Sequence, residues 1–279
     1  MARVELGKVN RLQVVKGVDF GIYLDGDDDG EILMPTRYVP EGIQPQDWID
    51  AFIYLDSEDR LIATTERPYA EVGDFAFLKV GGVNSFGAFV EWGLPKDILV
   101  PFREQKVRMI EGNRYVVYIY EDSATGRIVA SSKFEKFLDK TPPSYEIGEK
   151  VDLMIYQRTE LGYKAVINQK HSGVLYYNEI FQPIAVGQKI EGYINRIRED
   201  HKIDLILDKP GYEKIGDLAT QILNKLKEQG GFLAVTDKSD SEEIYEIFRM
   251  SKKSYKKAVG DLYKRRLVAL ESDGIRLLQ

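Results

Sequence analysis

The sequence predicts a mostly β protein in which three small barrels are followed by an α+β domain of three helices and a β-hairpin. Short strands separated by glycine-rich turns are typical of small all-β barrels. A set of such landmarks recurs after about 66 residues, which is the length of a whole small domain and not of a solenoid unit. From Tyr212 onward the spacing of apolar residues changes to the helical period.

The composition excludes several kinds of site. The chain of 279 residues has no cysteine, which excludes disulfides, thiolate metal sites and thiol catalysis, and its two histidines are too few for a histidine metal cluster. No apolar run approaches the ~20 residues needed to cross a bilayer, and the N-terminus lacks a secretion signal. We therefore predict a cytoplasmic protein with no cofactor, no metal and no membrane partner.

Charge is distributed unevenly along the chain. The formal net charge is −6, but residues 1–66 alone carry 14 acidic and 6 basic side chains, whereas residues 67–140 carry 10 acidic and 11 basic ones. Phosphate contacts supply most of the affinity for nucleic acid. The second segment is therefore better suited than the first to bind it, and the first is expected to act mainly as a scaffold.

The most complete copy of the repeat lies between Val72 and Ser132. It contains a strand with a glycine between two aromatic residues, followed by a short apolar strand that ends in proline. An acidic turn precedes its last strand. Its predicted parts, in order, are Gly73 to Val80, Phe86-Gly87-Ala88-Phe89-Val90, Ile98 to Pro101, Arg114 to Tyr120, the turn with Asp122 and Gly126, and Arg127-Ile128-Val129.

The other two copies contain the same sequence features in the same order, but match them less closely. Phe20-Gly21-Ile22-Tyr23 and Ile32 to Pro35 repeat the pattern in the first copy. In the third, predicted strands begin at Gly148 and Gly187, and Leu161 and Lys164 replace the two aromatic residues. The predicted domains are residues 1–66, 67–140, 145–209 and 212–279, with the stiff linker Thr141-Pro142-Pro143-Ser144 before the third barrel.

The last domain is predicted to contain three helices and a hairpin. Leu218, Ile222, Leu223 and Leu226 form one face of a helix that ends at Gly230-Gly231. Asp240 and Glu243 match a capping box before the second helix. Ser251 is the expected cap of a third helix that buries Tyr255, Ala258, Val259 and Leu262, and the hairpin follows from Leu267 to Leu278.

Each barrel copy resembles the S1-type RNA-binding domain, which is an oligonucleotide-binding (OB) barrel, and the helical region resembles a winged helix. The resemblance covers residues 1–209 and is strongest at Phe86-Gly87-Ala88-Phe89-Val90. It implies that the two aromatic side chains stack on bases, with ~1–3 kcal/mol expected per base. Strict alternation would separate Phe86 from Phe89, so we expect a bulge at Gly87. The alternative is that Phe89 packs in the core.

Further candidate residues follow from the same resemblance. Stacking is expected from Phe20, Tyr23, Phe86 and Phe89, and Tyr176 occupies the position at which many such domains carry histidine. Arg60, Arg127 and Lys202 match the basic residue after the acidic turn, and ion pairs with nearby aspartates are an equally good interpretation of them. In the second barrel the candidate backbone contacts are Lys79, Lys96, Arg103 and Arg127.

The run Asp25-Gly26-Asp27-Asp28-Asp29-Gly30 matches half of a calcium-binding loop. The full loop needs a glutamate at its twelfth position, where this chain has Thr36. We therefore predict a solvated hairpin between two strands.

The third helix of the last domain carries the highest positive charge density in the chain. Between Arg249 and Arg266 there are eight basic residues and one acidic residue. A winged helix presents this helix to nucleic acid. The candidates for phosphate contact are Lys252, Lys253, Lys256 and Lys257; a solvated face or a protein-binding surface is the alternative.

Three S1-type barrels followed by a winged helix resemble the bacterial conserved virulence factor B family. Gly73-Asp74-Phe75-Ala76-Phe77-Leu78-Lys79-Val80 and Trp92-Gly93-Leu94-Pro95-Lys96-Asp97 carry the closer part of this resemblance. It implies a non-enzymatic, cytoplasmic regulator that binds RNA. From the aromatic pair and the clustered lysines we predict that single-stranded RNA binds with low sequence specificity, through the second barrel and the basic helix. The alternatives are a DNA-binding transcriptional regulator that contacts duplex nucleic acid through the winged helix, or a nuclease accessory factor.

Overall fold

A computed structural model describes residues 3–180, 182–207 and 215–278, although the side chains of residues 215–217 lie outside the description. The chain divides into two compact units, Met1–Asp139 and Lys140–Gln279. The first unit contains two closed barrels, and the second contains a third barrel and the helical region. The predicted order, three small barrels followed by a domain of three helices with a β-hairpin, is thereby confirmed.

The first barrel closes five strands in the order β1-β2-β3-β5-β4. Its third and fifth strands are parallel and its other neighbours are antiparallel. The strands are β1 (Val9–Val18), β2 (Gly21–Asp25), β3 (Glu31–Pro35), β4 (Trp48–Leu55) and β5 (Leu61–Thr64). The run from Asp25 to Gly30 joins β2 to β3 with Asp27 at a φ of 52°, so the acidic hairpin is where the sequence predicts it.

The second and third barrels repeat this order. The second closes β6 (Phe75–Val83), β7 (Gly87–Glu91), β8 (Ile98–Pro101), β9 (Arg114–Asp122) and β10 (Arg127–Ser131). The third closes β11 (Lys150–Arg158), β12 (Gly162–Ile167), β13 (His171–Tyr176), β14 (Lys189–Ile197) and β15 (Ile203–Ile206). A short 3-10 turn follows the third strand of every barrel, at Thr36–Tyr38, Phe102–Glu104 and Tyr177–Glu179.

Three strands begin later than the sequence predicts. The predicted starts at Gly73, Gly148 and Gly187 are wrong by two residues, because each of these glycines has a positive φ (96°, 86° and 88°) and lies in the preceding turn. Such φ values are incompatible with a strand and are readily adopted by glycine.

The glycine of the aromatic strand is required by a close backbone approach and not by a bulge. A Cβ atom at Gly87 would stand 2.2 Å from the carbonyl oxygen of Val100 on the paired strand, and Gly21 and Gly162 face the same obstruction. The register of β7 on β8 is continuous, so the bulge predicted at Gly87 is wrong. The bulge lies instead in β6, between Val80 and Gly82.

The first two barrels share an apolar core where they meet. Phe52 and Tyr54 of β4 belong to the same buried cluster as Trp92 of the second barrel, and the rings of Phe52 and Trp92 are 5.5 Å apart, edge to face. The indole Nε1–H of Trp92 donates to the carbonyl of Lys96 at 2.7 Å and so closes its own turn. The Trp92–Asp97 segment thus forms part of the joint between barrels.

The helical region contains α1 (Ile215–Glu228), α2 (Ser241–Phe248) and α3 (Lys252–Lys264). Its small sheet has the order β16 (Phe232–Leu233), β18 (Ile275–Leu277), β17 (Val268–Leu270). As predicted, the Ser251 hydroxyl accepts from the amide of Ser254 at 2.9 Å, and α3 buries Tyr255, Ala258, Val259 and Leu262. The capping box is wrong. Asp240 is the residue before α2, but its side chain makes no cap hydrogen bond, and its backbone carbonyl accepts from Ile244.

Candidate nucleic-acid interface

The two aromatic side chains of the second barrel line one cavity. Phe86 precedes β7 and is 71% exposed, while Phe89 lies within the strand and is half-buried. Because Phe86 stands outside the strand, the alternation of side chains between faces does not separate it from Phe89. The cavity, of about 260 Å³, brings both rings together.

Both barrels of the first unit contribute to this cavity. Besides the two phenylalanines, its walls include Trp92 and strand β8 from the second barrel. Tyr54, Leu55 and Asp59 of the first barrel complete it, so this barrel supplies part of the wall in addition to its expected role as a scaffold. The charged lining residues are Asp59, Lys96, Asp97 and Arg127.

The four basic candidates of the second barrel differ in their surroundings. Lys96 and Arg127 line the cavity; Lys79 and Arg103 do not. Lys79 pairs with Glu91 on the neighbouring strand at 2.8 Å, and Arg103 lies 3.8 Å from Asp122. A phosphate that binds Lys79 or Arg103 therefore has to compete with a carboxylate that is already in place.

Asp59 joins the acidic turn of the first barrel to the basic residues of the second. Its carboxylate accepts hydrogen bonds from Lys96, at 3.0 Å, and from the Arg127 guanidinium. Arg127 therefore pairs with Asp59 of the first barrel and not with Asp122, the aspartate in the acidic turn of its own barrel. In contrast, Arg60 pairs with Asp56 at 2.7 Å and Lys202 with Asp200 at 2.7 Å, as the ion-pair interpretation expects.

This arrangement lowers the pKa of Asp59. The hydrogen bond from Lys96 is the largest cause, and the Arg127 guanidinium adds to it, against a smaller effect of desolvation. Since the folded-state pKa is the lower one, the bridge stabilises the folded state above the ordinary aspartate range, and this stabilisation is lost as the pH falls through the folded-state pKa.

We expect Lys96→Met to raise the pKa of Asp59 toward the ordinary aspartate value, because the largest cause of its depression is removed. The measurement is an NMR titration of the side-chain carboxyl carbon. Lys79→Met is the matched control, since Lys79 pairs with Glu91 and is not among the groups that shift the pKa of Asp59. An Asp59 pKa that is the same in wild type and Lys96→Met would contradict the bridge.

The aromatic candidates of the first and third barrels lie on different strands, at β2 in the first barrel and at the end of β13 in the third. Phe20 and Tyr23 make an edge-to-face contact at 6.4 Å, and Phe20 is 57% exposed. In the third barrel the Tyr176 hydroxyl accepts from Arg198 at 2.6 Å. Tyr177, which was not predicted as a site residue, contacts Arg158 through its ring and its hydroxyl. Its position directly after Tyr176 is the signal in the sequence that could have indicated it.

The basic residues of α3 are mostly exposed. Lys253, Lys256 and Lys257 are exposed and Lys252 is half-buried. Lys256 lies 3.7 Å from Asp237, and Lys252 donates to the Lys238 carbonyl at 3.3 Å. Tyr263, which was not predicted as a site residue, is 55% exposed and lies seven residues after Lys256, on the same face of the helix. This spacing is visible in the sequence.

Two family matches cover parts of the chain. Residues 6–66 match the S1 domain, and residues 220–277 match the CvfB-like winged helix domain. The strand order of the matched barrel recurs in the other two barrels. Together the fold and these matches define a modular protein assembled from domain types that bind nucleic acid.

The similarity to one family extends over nearly the whole chain. Conserved virulence factor B of Staphylococcus saprophyticus is 24% identical, over 98% of this chain and 95% of that protein. The uncharacterized protein YitL of Bacillus subtilis is 26% identical, over 92% and 89%. A crystal structure of a multidomain protein with nucleic acid binding domains from Streptococcus pneumoniae is 22% identical over 98% of both chains, with a TM-score of 0.41. The predicted resemblance to the conserved virulence factor B family is confirmed.

None of the described helices is both long and apolar enough to cross a membrane.

Proposed function

We propose that this protein binds single-stranded RNA through the second barrel and acts as a regulator without catalysing a reaction. The proposal is based on one observation: Phe86 and Phe89 line the same cavity, together with the basic residues Lys96 and Arg127. Unpaired bases offer flat faces to aromatic rings, whereas the bases of a duplex are already stacked on one another. The S1 match and the virulence-factor relatives support this proposal.

The basic face of α3 is proposed as a second surface that contacts phosphates. Lysines bind the backbone without reading the sequence, so this surface would raise affinity for any strand. Low selectivity overall is the expected consequence. Duplex binding through the same helix is the second candidate function, because a winged helix with eight basic residues and one acidic residue between Arg249 and Arg266 fits a duplex backbone too.

Fluorescence anisotropy of the full chain with a labelled single strand tests the proposal. We expect single-stranded RNA to compete the probe away at lower concentration than a duplex DNA of the same sequence. Preference for the duplex would favour the second candidate. Absence of binding to either nucleic acid would overturn the proposed function.

The lysines of α3 are tested through the salt dependence of binding. Lys253→Ala/Lys256→Ala/Lys257→Ala should weaken binding at low salt and flatten the slope of log K against log salt by about 0.7 for each lost phosphate contact. Lys225→Ala/Lys227→Ala on α1 is the control, and it should leave the slope unchanged. Equal slopes for wild type and the α3 variant would remove this helix from the site.

A further inference from the structure

The cavity between the first two barrels holds one charged side chain that the proposed RNA contacts leave unused. Asp97 lines the cavity just before β8. Lys96 and Arg127 both donate hydrogen bonds to Asp59. The Asp97 carboxylate, by contrast, has no hydrogen bond or ion pair within the ranges that the structure describes.

The surroundings of Asp97 make an unpaired carboxylate costly. The side chain is half-buried, and burial raises its pKa. The neighbouring carboxylate of Glu91 raises it further, while the charge of Lys79 acts in the opposite direction. Burying a polar group without a hydrogen-bond partner costs free energy, and a ligand that donates a hydrogen bond to it would recover part of this cost. Gly81, the bulged residue of β6, lies close to this carboxylate: a Cβ there would stand 3.0 Å from Asp97 Oδ2 and 3.1 Å from Glu91 Oε1.

The size and walls of the cavity fit a single base. Its volume of about 260 Å³ lies just below the roughly 300–1,000 Å³ of pockets for drug-sized ligands. Four aromatic side chains stand in its walls: Tyr54, Phe86, Phe89 and Trp92. Single-stranded bases that splay out of the chain are held in this way, by stacking on their faces and hydrogen bonds at their edges.

The chemistry of a carboxylate then selects among the bases. An ionised carboxylate only accepts hydrogen bonds, and it offers two oxygens side by side. Guanine presents two adjacent donors, N1–H and the 2-amino group. Adenine presents the acceptor N1 at the corresponding position, and uracil has one donor between two carbonyl acceptors.

We propose that the cavity takes a single guanine base, whose N1–H and 2-amino group donate to the Asp97 carboxylate while its ring lies against Phe86 and Phe89. This inference rests on the proposed RNA-binding function and adds base selection to it. Asp97 is then a specificity-determining residue, and binding has one guanine-selective position within an otherwise unselective site.

Uridine octamers with one central guanosine, inosine or adenosine test the proposal, together with the all-uridine octamer. For the wild type we expect guanosine to be preferred over adenosine about tenfold, in line with a bidentate base contact. Inosine, which lacks the 2-amino group, should bind more weakly than guanosine. In Asp97→Asn the guanosine and adenosine octamers should differ by less than about threefold, with the all-uridine affinity retained.

The control is Glu121→Gln, which removes an exposed carboxylate of the second barrel that does not line the cavity and does not act on Asp97. It should keep the guanosine preference; an equal loss in this variant would assign the effect to net charge and overturn the role of Asp97. A wild type without guanosine preference, or an unchanged preference in Asp97→Asn, also overturns the inference and leaves the proposed function intact. A different result would contradict the proposed function itself. In that case Phe86→Ala/Phe89→Ala would bind all four octamers as tightly as the wild type does.

Discussion

Phe86→Ala/Phe89→Ala should lower the affinity for single-stranded RNA at least about 30-fold. Each stacked base is worth ~1–3 kcal/mol, and 1.4 kcal/mol corresponds to a factor of ten in the dissociation constant. Phe86 is 71% exposed and Phe89 half-buried, so the loss of both rings should cost binding much more than folding. The measurement is anisotropy titration of the full chain, with a thermal unfolding curve for each variant.

Trp48→Ala is the matched control for this experiment. Trp48 is an aromatic residue of the first barrel that is 57% exposed and does not line the cavity. Its removal should leave RNA affinity within about twofold of the wild type, since no base is expected to stack on it. If the double phenylalanine variant binds as tightly as this control, the second barrel does not hold RNA through its aromatic pair.

Trp92→Ala should destabilise the first unit by about 3–5 kcal/mol, the usual cost of removing a large buried aromatic side chain. Trp92 is 2% exposed and packs against Phe52 of the first barrel, so its loss opens a cavity in the core that the two barrels share. It also removes the donor for the Lys96 carbonyl. Urea unfolding followed by circular dichroism measures the change.

Hydrogen exchange locates the effect of this substitution. Amides of β4 and β6 should lose protection together, because both strands contribute to the shared core, while those of α3 should not change. The chain has only two tryptophans, so Trp48→Ala again provides the control, with an expected cost within about 0.5 kcal/mol for an exposed position. Similar destabilisation by both substitutions would show that Trp92 does not join the barrels.

The Asp59 bridge places a limit on the proposed RNA contacts. Lys96 and Arg127 are the basic residues that line the cavity with the stacking rings, and both already bind a carboxylate of the first barrel. A phosphate has to displace Asp59 or share these cations with it. The contribution of the two cations to affinity is therefore expected to be small at physiological salt, with stacking dominant in the second barrel.

The sequence by itself determined the architecture. The repeat of about 66 residues predicted three barrels, because each barrel is specified by local requirements. One of them is the glycine at position 87, where a Cβ would stand 2.2 Å from the carbonyl oxygen of Val100. The helical period predicted α3 and its buried residues, Tyr255, Ala258, Val259 and Leu262, since the spacing of apolar residues sets which face of a helix is inside. The aromatic pair was found from its recurrence in the repeat together with the resemblance to the S1-type domain.

Only the tertiary structure decided how these parts form a cavity. The contacts of Asp59 with Lys96 and Arg127 join residues 37 and 68 positions apart, on different barrels, and no periodic pattern within one barrel encodes them. The same holds for the contact of Phe52 with Trp92 and for the position of Asp97 in the cavity wall. Local sequence specifies each barrel through its own strands and turns, whereas the joint between barrels depends on side chains that meet only after both have folded.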